Sequence, residues 1–475
     1  MKQLLTITLT GILLTTRLLA QNPAPKSEPE AKPAATETKK TPLFGISFSG
    51  YVNTDIFFDT RQTVMAREGQ WLFYPEKVKL DPDGNDINAK GTYNILSIQT
   101  RVTGTITGPD IFKAKTSGLI EGEFYGNVNT NMNVFRLRHA FVKLNWAKTE
   151  LLLGQTWHPL YLPAASPEPV SLNGGAPFVI FTRNPQVRVT RQIGNFKLLL
   201  AAISQVDATS TGPDGPSAKY LRNSIIPEFA FQVQYGVAYP EKKSEFLIGA
   251  SVDYLMLTPR LGTMVVKTPA VDTIYNNQVH HTDAVIVNYK TTAKSPALTF
   301  NFFAKLKLAK VTMKLGGVYG ENCFAYNMIG GYAVKSMVDP NKGIVDYAAI
   351  RTATVWADFK TNGTKLSAGI YAGFSKNLGA GTDLSYIKNA EKFQVVKIDG
   401  TVPANIAEPF YSRGASADYL YRVAPRLILT VSKLKFASEL DYTVAAYGKT
   451  NSNGTVSDSK EIGNLRILLG VYYYF

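Results

Sequence analysis

From Phe44 to Asp59 the chain alternates: Phe44, Ile46, Phe48, Val52, Ile56 and Phe58 are set between Gly45, Ser47, Ser49, Asn53, Asp55 and Asp59. A period of two marks a β-strand with one apolar and one polar face. The length of the run says more than its period. Strands of soluble domains average about 5 or 6 residues, whereas a tilted strand crossing a bilayer needs about 9 to 11. The pattern returns over Tyr93 to Gly108 and Thr116 to Gly126, then over later segments such as Phe229 to Tyr239, Phe246 to Leu257, Leu298 to Leu308, Val311 to Gly320 and Thr352 to Phe359. It closes with Lys365 to Phe374, Tyr419 to Val431, Phe436 to Tyr447 and Ile462 to Phe475. In the second run Leu96, Ile98, Val102 and Ile106 are expected on one face, with Ser97, Gln99, Arg101, Thr103 and Thr105 on the other.

The connections alternate as well. Short turns such as Ala147-Lys148-Thr149, Gly194-Asn195 and Ala309-Lys310 are interleaved with long polar segments such as Arg61 to Thr92. Short turns at one end and long loops at the other are the pattern of outer-membrane barrels. The fold class expected is therefore all-β, a transmembrane antiparallel β-barrel of roughly sixteen strands, an even number that puts both ends of the chain on one side. The soluble alternatives, a β-sandwich or β-helix, fit the strand length poorly. The chain has 25 Tyr, 25 Phe and 4 Trp at a mean hydropathy of -0.06. Faces that meet lipid and water in turn produce that average.

Three segments divide the chain. Residues 1–20 read as a secretory signal: Lys2, an apolar stretch from Leu4 to Leu14, and a small-residue site at Ala20. Residues 21–42 are nearly all Pro, Ala, Lys, Glu, Thr and Ser, too polar to bury a core, and are expected as a disordered periplasmic tail. Residues 43–475 form the barrel. Its last strand carries Leu465, Ile467, Leu469, Val471, Tyr473 and Phe475 on one face. A terminal Phe475 preceded by Tyr473 resembles the signal read by the barrel assembly machinery, which puts the protein in the bacterial outer membrane among lipid and lipopolysaccharide.

The formal charge is +15, and loss of Lys2 and Arg17 with the signal leaves 15 − 2 = +13. A secreted basic chain meets anionic solutes and lipopolysaccharide phosphates, so nucleic acid is not an expected partner. The excess Lys also fits plain loop solubility. Cys323 stands alone, which rules out a disulfide framework, and reads as a structural residue at a strand end.

One stretch carries a family likeness. Phe135-Arg-Leu-Arg-His-Ala-Phe-Val-Lys-Leu-Asn-Trp146 is followed, after a turn, by Leu151-Leu-Leu-Gly-Gln-Thr-Trp-His-Pro-Leu160. This resembles the DcaP-like porins and, more distantly, the phosphate-selective porins. There an Arg-x-Arg strand precedes a Gly-Gln-x-Trp strand that leads into the constriction loop. The matching positions are Arg136, Arg138, Gly154, Gln155 and Trp157. The resemblance implies a homotrimeric porin whose third loop folds inward. It also implies basic residues that favour small anionic solutes, dicarboxylates among them. The Pro-rich tail stands where family members often carry a coiled-coil segment, so trimerisation through the tail is not carried over.

Selectivity in such channels comes from charge facing the lumen. Strand parity nominates Arg101, Arg188, Arg422 and Arg426, and Arg138 and Arg183 join them by family position and nearness to the loop. A bulge in the fourth strand would exchange Arg138 and His139 between faces. Glu121 and Glu123 share the inward face of strand three beside Arg101, so each arginine reads either as a solute contact or as a wall salt bridge. Residues 158–183 hold five Pro and Gly174-Gly175, a loop that reads either as an inward constriction or as a surface segment. Catalysis needs a nucleophile, base and orienter in reach of one another. His139, His158, His280 and His281 sit in no such pattern, so no enzyme is expected. No cofactor and no metal are expected either, since His280-His281 with Asp272 and Asp283 reads better as a solvated loop. A barrel that conducts nothing and serves adhesion shares the same alternation.

Overall fold

The computed structural model describes residues 44–268, 271–275, 278–384 and 410–475; the expected signal and tail lie outside the described residues. In chain order the wall strands are β1 (Gly45–Asp59), β2 (Thr92–Leu96 continued by Arg101–Thr107), β3 (Lys115–Glu123), β4 (Arg136–Asn145), β5 (Thr149–Trp157) and β6 (Arg183–Ile193). They continue as β7 (Phe196–Ile203), β8 (Glu228–Tyr239), β9 (Ser244–Leu257), β10 (Ser295–Lys307) and β11 (Val311–Glu321). The last five are β12 (Ile344–Thr361), β13 (Leu366–Gly379), β14 (Ala417–Val431), β15 (Leu434–Thr450) and β16 (Val456–Tyr474). Each pairs antiparallel with its chain neighbours, and β16 returns to β1 with Tyr51 opposite Tyr474 and Asp59 opposite Arg466. Sixteen strands thus close on themselves. Closure pairs every strand with two neighbours, the only way a sheet can lie in hydrocarbon without unsatisfied edges. Among the described residues no helix is long and apolar enough to cross a membrane.

Alternation sorts the faces as the sequence implies. On β1, Asn53, Asp55 and Asp59 are buried inside, while Val52 and Phe58 are exposed outside. Phe229, Phe231, Phe300, Phe302, Val355 and Phe359 stand on the outer surface in the same way. The final residue completes the seam: the Phe475 N–H and carbonyl exchange hydrogen bonds with Gly50 at 3.2 Å each. Tyr473 and Phe475 are both half exposed on that seam.

Two expectations are corrected. Strand β2 is broken, because residues 97–100 face only residues 52–54 of β1. The extra residue is a bulge, and it turns Leu96 and Ile98 inward rather than toward lipid, with Ile98 buried. Thr100 Oγ1 accepts the Asn53 N–H at 3.1 Å, so the amide freed by the bulge is not orphaned. The segment Arg61 to Thr92 is also not simply polar. It contains the hairpin Thr63–Ala66 with Trp71–Pro75, and every residue of Trp-Leu-Phe-Tyr-Pro is buried. Other long connections carry strands too, such as Gly330–Asp339, which pairs with the outer part of β12 and with Phe410–Arg413.

Candidate functional site

The long-loop end of β2 to β6 gathers four arginines. Arg138 donates to Glu121 at 2.7 Å and to Glu123 at 2.6 Å, and Arg101 reaches Glu123 at 3.2 Å. Arg136 bonds Glu123 at 2.8 Å and Asp207 at 2.7 Å, and Arg183 bonds the other oxygen of Asp207 at 3.1 Å. Four guanidiniums against three carboxylates leave 4 − 3 = +1. Few of these groups meet solvent: the Arg138 side chain is 3% exposed and that of Arg101 18%. Tyr125 of the second loop lies beneath Arg136 at 4.8 Å and Arg67 at 5.3 Å, and its burial raises the phenol well above its ordinary range.

Sequence position explains the geometry. Glu121 of β3 faces His139 of β4 while Gly122 faces Leu137, so Arg138 is the extra residue of a bulge. Arg138 and His139 are consequently both buried. His139 contacts Thr156 Oγ1 at 3.1 Å and packs edge-on against Trp157 at 5.4 Å, as a wall residue does. Gly154 has φ +131°, and a Cβ there would lie 2.2 Å from the Ala140 carbonyl oxygen, so only glycine fits. Gln155 donates to the Arg138 carbonyl at 3.2 Å, and the Trp157 ring lies between Tyr161 at 4.5 Å and Phe181 at 5.0 Å.

Arg422 and Arg426 hold other parts of the chain. Arg426 forms two bonds to Asp358, at 2.7 and 3.0 Å. Arg422 donates to Thr443 at 2.7 Å, to the Ala176 carbonyl at 2.8 Å and to the Phe73 carbonyl at 3.0 Å. It therefore ties β14 to both the first and the third long connections. Arg188 shares the face of buried Asn184 and Gln186 and stands 3.6 Å from Glu150 near the short-turn end.

Residues 158–182 meet side chains of many strands. Gln232 on β8 donates to the Pro159 carbonyl at 2.7 Å, Asn301 on β10 to Leu160 at 3.0 Å, and Tyr371 on β13 to Gly175 at 2.9 Å. Glu439 on β15 accepts the Val170 and Ser171 N–H groups at 2.6 and 3.1 Å, and Asp358 on β12 accepts that of Glu168 at 3.1 Å. All five side chains are buried.

Below this segment, toward the short turns, is a cavity of about 430 Å³ that sequence reasoning missed. Lys305, Lys307, Lys314, Lys360 and Arg426 line it, against one lining carboxylate, Glu168. Glu168 reaches down from the loop and places one oxygen on Lys314 and the other on Lys360. Lys314 also donates to the Ser166 carbonyl at 2.8 Å, and Lys305 pairs with Glu245 at 2.8 Å. Lys305 and Lys314 are directly opposite across β10 and β11, a like-charge pairing that costs stability unless counter-charge is supplied. The inward parity used for the arginines would have selected these lysines too.

A second missed cluster roots the loop. His158 Nε2 lies 2.9 Å from Glu228 and 3.7 Å from Asp253, both buried, and the Tyr326 hydroxyl touches both acids at 3.0 and 2.6 Å. These are metal-ligand types in reach of one another. The His158 ring argues against a metal: the Leu160 N–H points at Nδ1 from 3.2 Å, which places the ring proton on Nε2 facing Glu228. A ligating histidine instead donates from its second nitrogen. His281 contacts Asp272 at 2.5 Å and Asp283 at 3.4 Å on an exposed hairpin. Cys323 is buried just beyond the end of β11.

This architecture, a closed antiparallel barrel with a polar inner face, an apolar outer face and long connections at one end, is a porin-like transmembrane β-barrel fold. No protein-family profile matches the sequence, and no curated protein does either. The structure is similar to the crystal structure of the outer membrane channel DcaP of Acinetobacter baumannii, with a TM-score of 0.60 at 16% identity over 91% of this chain and 97% of that one. OmpT of Vibrio cholerae also matches, with a TM-score of 0.48 at 10% identity over 92% of this chain and 99% of that one. The likeness to the Acinetobacter channel, at 16% identity, speaks for the fold alone.

Proposed function

We propose that this chain is an outer-membrane porin that passes small hydrophilic anions by passive diffusion, with residues 158–182 folded into the lumen as its constriction. The observation that carries the reading is the set of bonds from that loop to buried side chains on β8, β10, β12, β13 and β15. Those side chains belong to the inner face, and bonds to all of them support a loop folded across the lumen. The printed description of the similar Acinetobacter protein as a channel supports the same reading. Anion preference is supported by the cavity cations, of which Lys307 has no ion pair among the described residues and Lys314 and Lys360 share one partly exposed carboxylate. Arg101 and Arg188, whose side chains keep 18% and 16% exposure, are the arginines best placed to meet a solute. Arg138, Arg183, Arg422 and Arg426 serve the wall. Residues 1–20 export the chain, residues 21–42 remain as a periplasmic tail, and the assembly is a homotrimer by the likeness of the Arg136 to Trp157 segment to the DcaP-like porins.

One observation favours a second reading, a barrel without conductance. Trp71, Phe73, Tyr125, Phe178, Phe181, Ile329 and Trp356 join four long connections and the wall in one apolar cluster. Reconstitution into planar bilayers separates the two. Steady conductance with a reversal potential on the anion side is the expected result; an electrically silent barrel sinks the porin reading, and cation preference sinks the anion part alone.

A further inference from the structure

The cavity beneath residues 163–168 has the features of a ligand site rather than of wall packing. Its lysines come from three adjacent strands at two neighbouring levels: Lys305 faces Lys314, and one step toward the turns Lys307 faces Thr312, which faces Lys360. Packing does not call for like charges so arranged. An anion does. The Lys314 ammonium is nearly sealed from solvent at 4% exposure, where an unpartnered charge is costly. Its counter-charge comes from a loop carboxylate that is itself 45% exposed. Lys307 has no ion pair among the described residues, although it lines the same cavity.

We propose that this cavity is a transit site for small oxyanions, and that Glu168 is a tethered carboxylate that occupies it at rest and expels the solute after each exchange. The proposal rests on the porin reading and names its solute step. The Glu168 backbone stays fixed, because Asp358 holds its N–H and Glu439 holds those of Val170 and Ser171. Only the side chain has to move. A carboxylate or phosphate with two charged oxygens can take over the contacts to Lys314 and Lys360, while Lys307 faces the rest of the solute. The Glu168 carboxylate is 45% exposed, so a solute can reach the contacts that it makes and compete with it for Lys314 and Lys360. The returning Glu168 supplies the release. Conduction requires that binding be weak enough to leave, and a tethered competitor lowers affinity without removing the site.

The test measures binding of inorganic phosphate, acetate and chloride to the full chain in detergent by calorimetry, and block of current by the same ions in bilayers. Phosphate and acetate are expected to bind and chloride not to, and the order of the first two assigns the favoured oxyanion. Glu168→Gln removes the competitor, so oxyanion affinity should rise by roughly tenfold, the size of one charge-assisted contact. A Glu168 that only clips the loop gives unchanged or weaker binding in that variant, which overturns the proposal. Lys307→Gln keeps the test decisive if Glu168→Gln does not fold: it should weaken oxyanion binding, and unaltered affinity overturns the proposal as well. A silent barrel that still binds phosphate more tightly as Glu168→Gln overturns the porin reading and leaves the site. An anion-selective barrel indifferent to oxyanions does the reverse.

Discussion

Two basic regions share the inner wall and use their charge in opposite ways. At the long-loop end of β2 to β6, Arg101, Arg136, Arg138 and Arg183 close on Glu121, Glu123 and Asp207, and of the four arginines only Arg101 keeps appreciable exposure. At the short-turn end of β10 to β14, four lysines and Arg426 line an open cavity: Arg426 and Lys305 are paired with Asp358 and Glu245, Lys314 and Lys360 share Glu168, and Lys307 has no ion pair among the described residues. The planar guanidinium holds two carboxylates at once and tolerates burial, while the ammonium is a hydrated point charge that stays exchangeable. Counting cations therefore says little about what a solute meets. What matters is whether each has already been neutralised by the fold.

That contrast can be broken by removing one group at a time. The largest effect is expected at Glu123, which is fully buried and bonded by three arginines. Glu123→Gln should cost about 3 to 5 kcal/mol, since it strands buried charge, and urea unfolding in detergent reads this directly. Wild-type stability in that variant would mean that the cluster is wetter than its geometry indicates. Lys307→Gln should leave the unfolding midpoint within about 0.5 kcal/mol of the parent, yet lower the anion-to-cation permeability ratio. Its effect should fade between 0.01 and 1 M salt as the screening length drops from about 30 to 3 Å. Smallest is Arg188→Gln. Its pair with Glu150 at 3.6 Å is partly exposed, so about 0 to 1 kcal/mol is at stake, with a permeability change below that of Lys307→Gln. A larger change at Arg188 than at Lys307 would move the solute contact from the lysine cavity to the β5–β6 side of the short-turn end.

The wall was legible because lipid and water impose opposite demands on alternate residues. The even strand count, the closing strand at Phe475 and the inward face of Glu121, Glu123, Arg422 and Arg426 could all be read from parity. Parity fails where a residue is inserted. The bulge at residues 97–100 turned Leu96 and Ile98 inward, and the one at Arg138 put two neighbours on one side. The interior was less legible for a different reason. Whether Arg426 is free depends on Asp358, whether Lys314 is free depends on Glu168, and His158 finds Glu228 and Asp253, all distant in sequence. Trp71–Pro75 was hidden as well, since a short apolar run inside a long connection carries no period of its own. Lys305, Lys314 and Lys360 share the inward parity of the arginines, so their facing was legible while their ion partners were not.

The backbone amides of Glu168, Val170 and Ser171 are held by Asp358 and Glu439, two buried acids on the wall. The dependence runs both ways, since those carboxylates rely on the amides for part of their solvation. Excision of residues 163–172 would thus leave the buried Glu439 without the two backbone N–H donors that it now has. An engineered wide variant calls for paired changes, with Glu439 made neutral in the same step as the excision. Residues 163–172 and the wall strands that carry Asp358 and Glu439 thus depend on each other's hydrogen bonds.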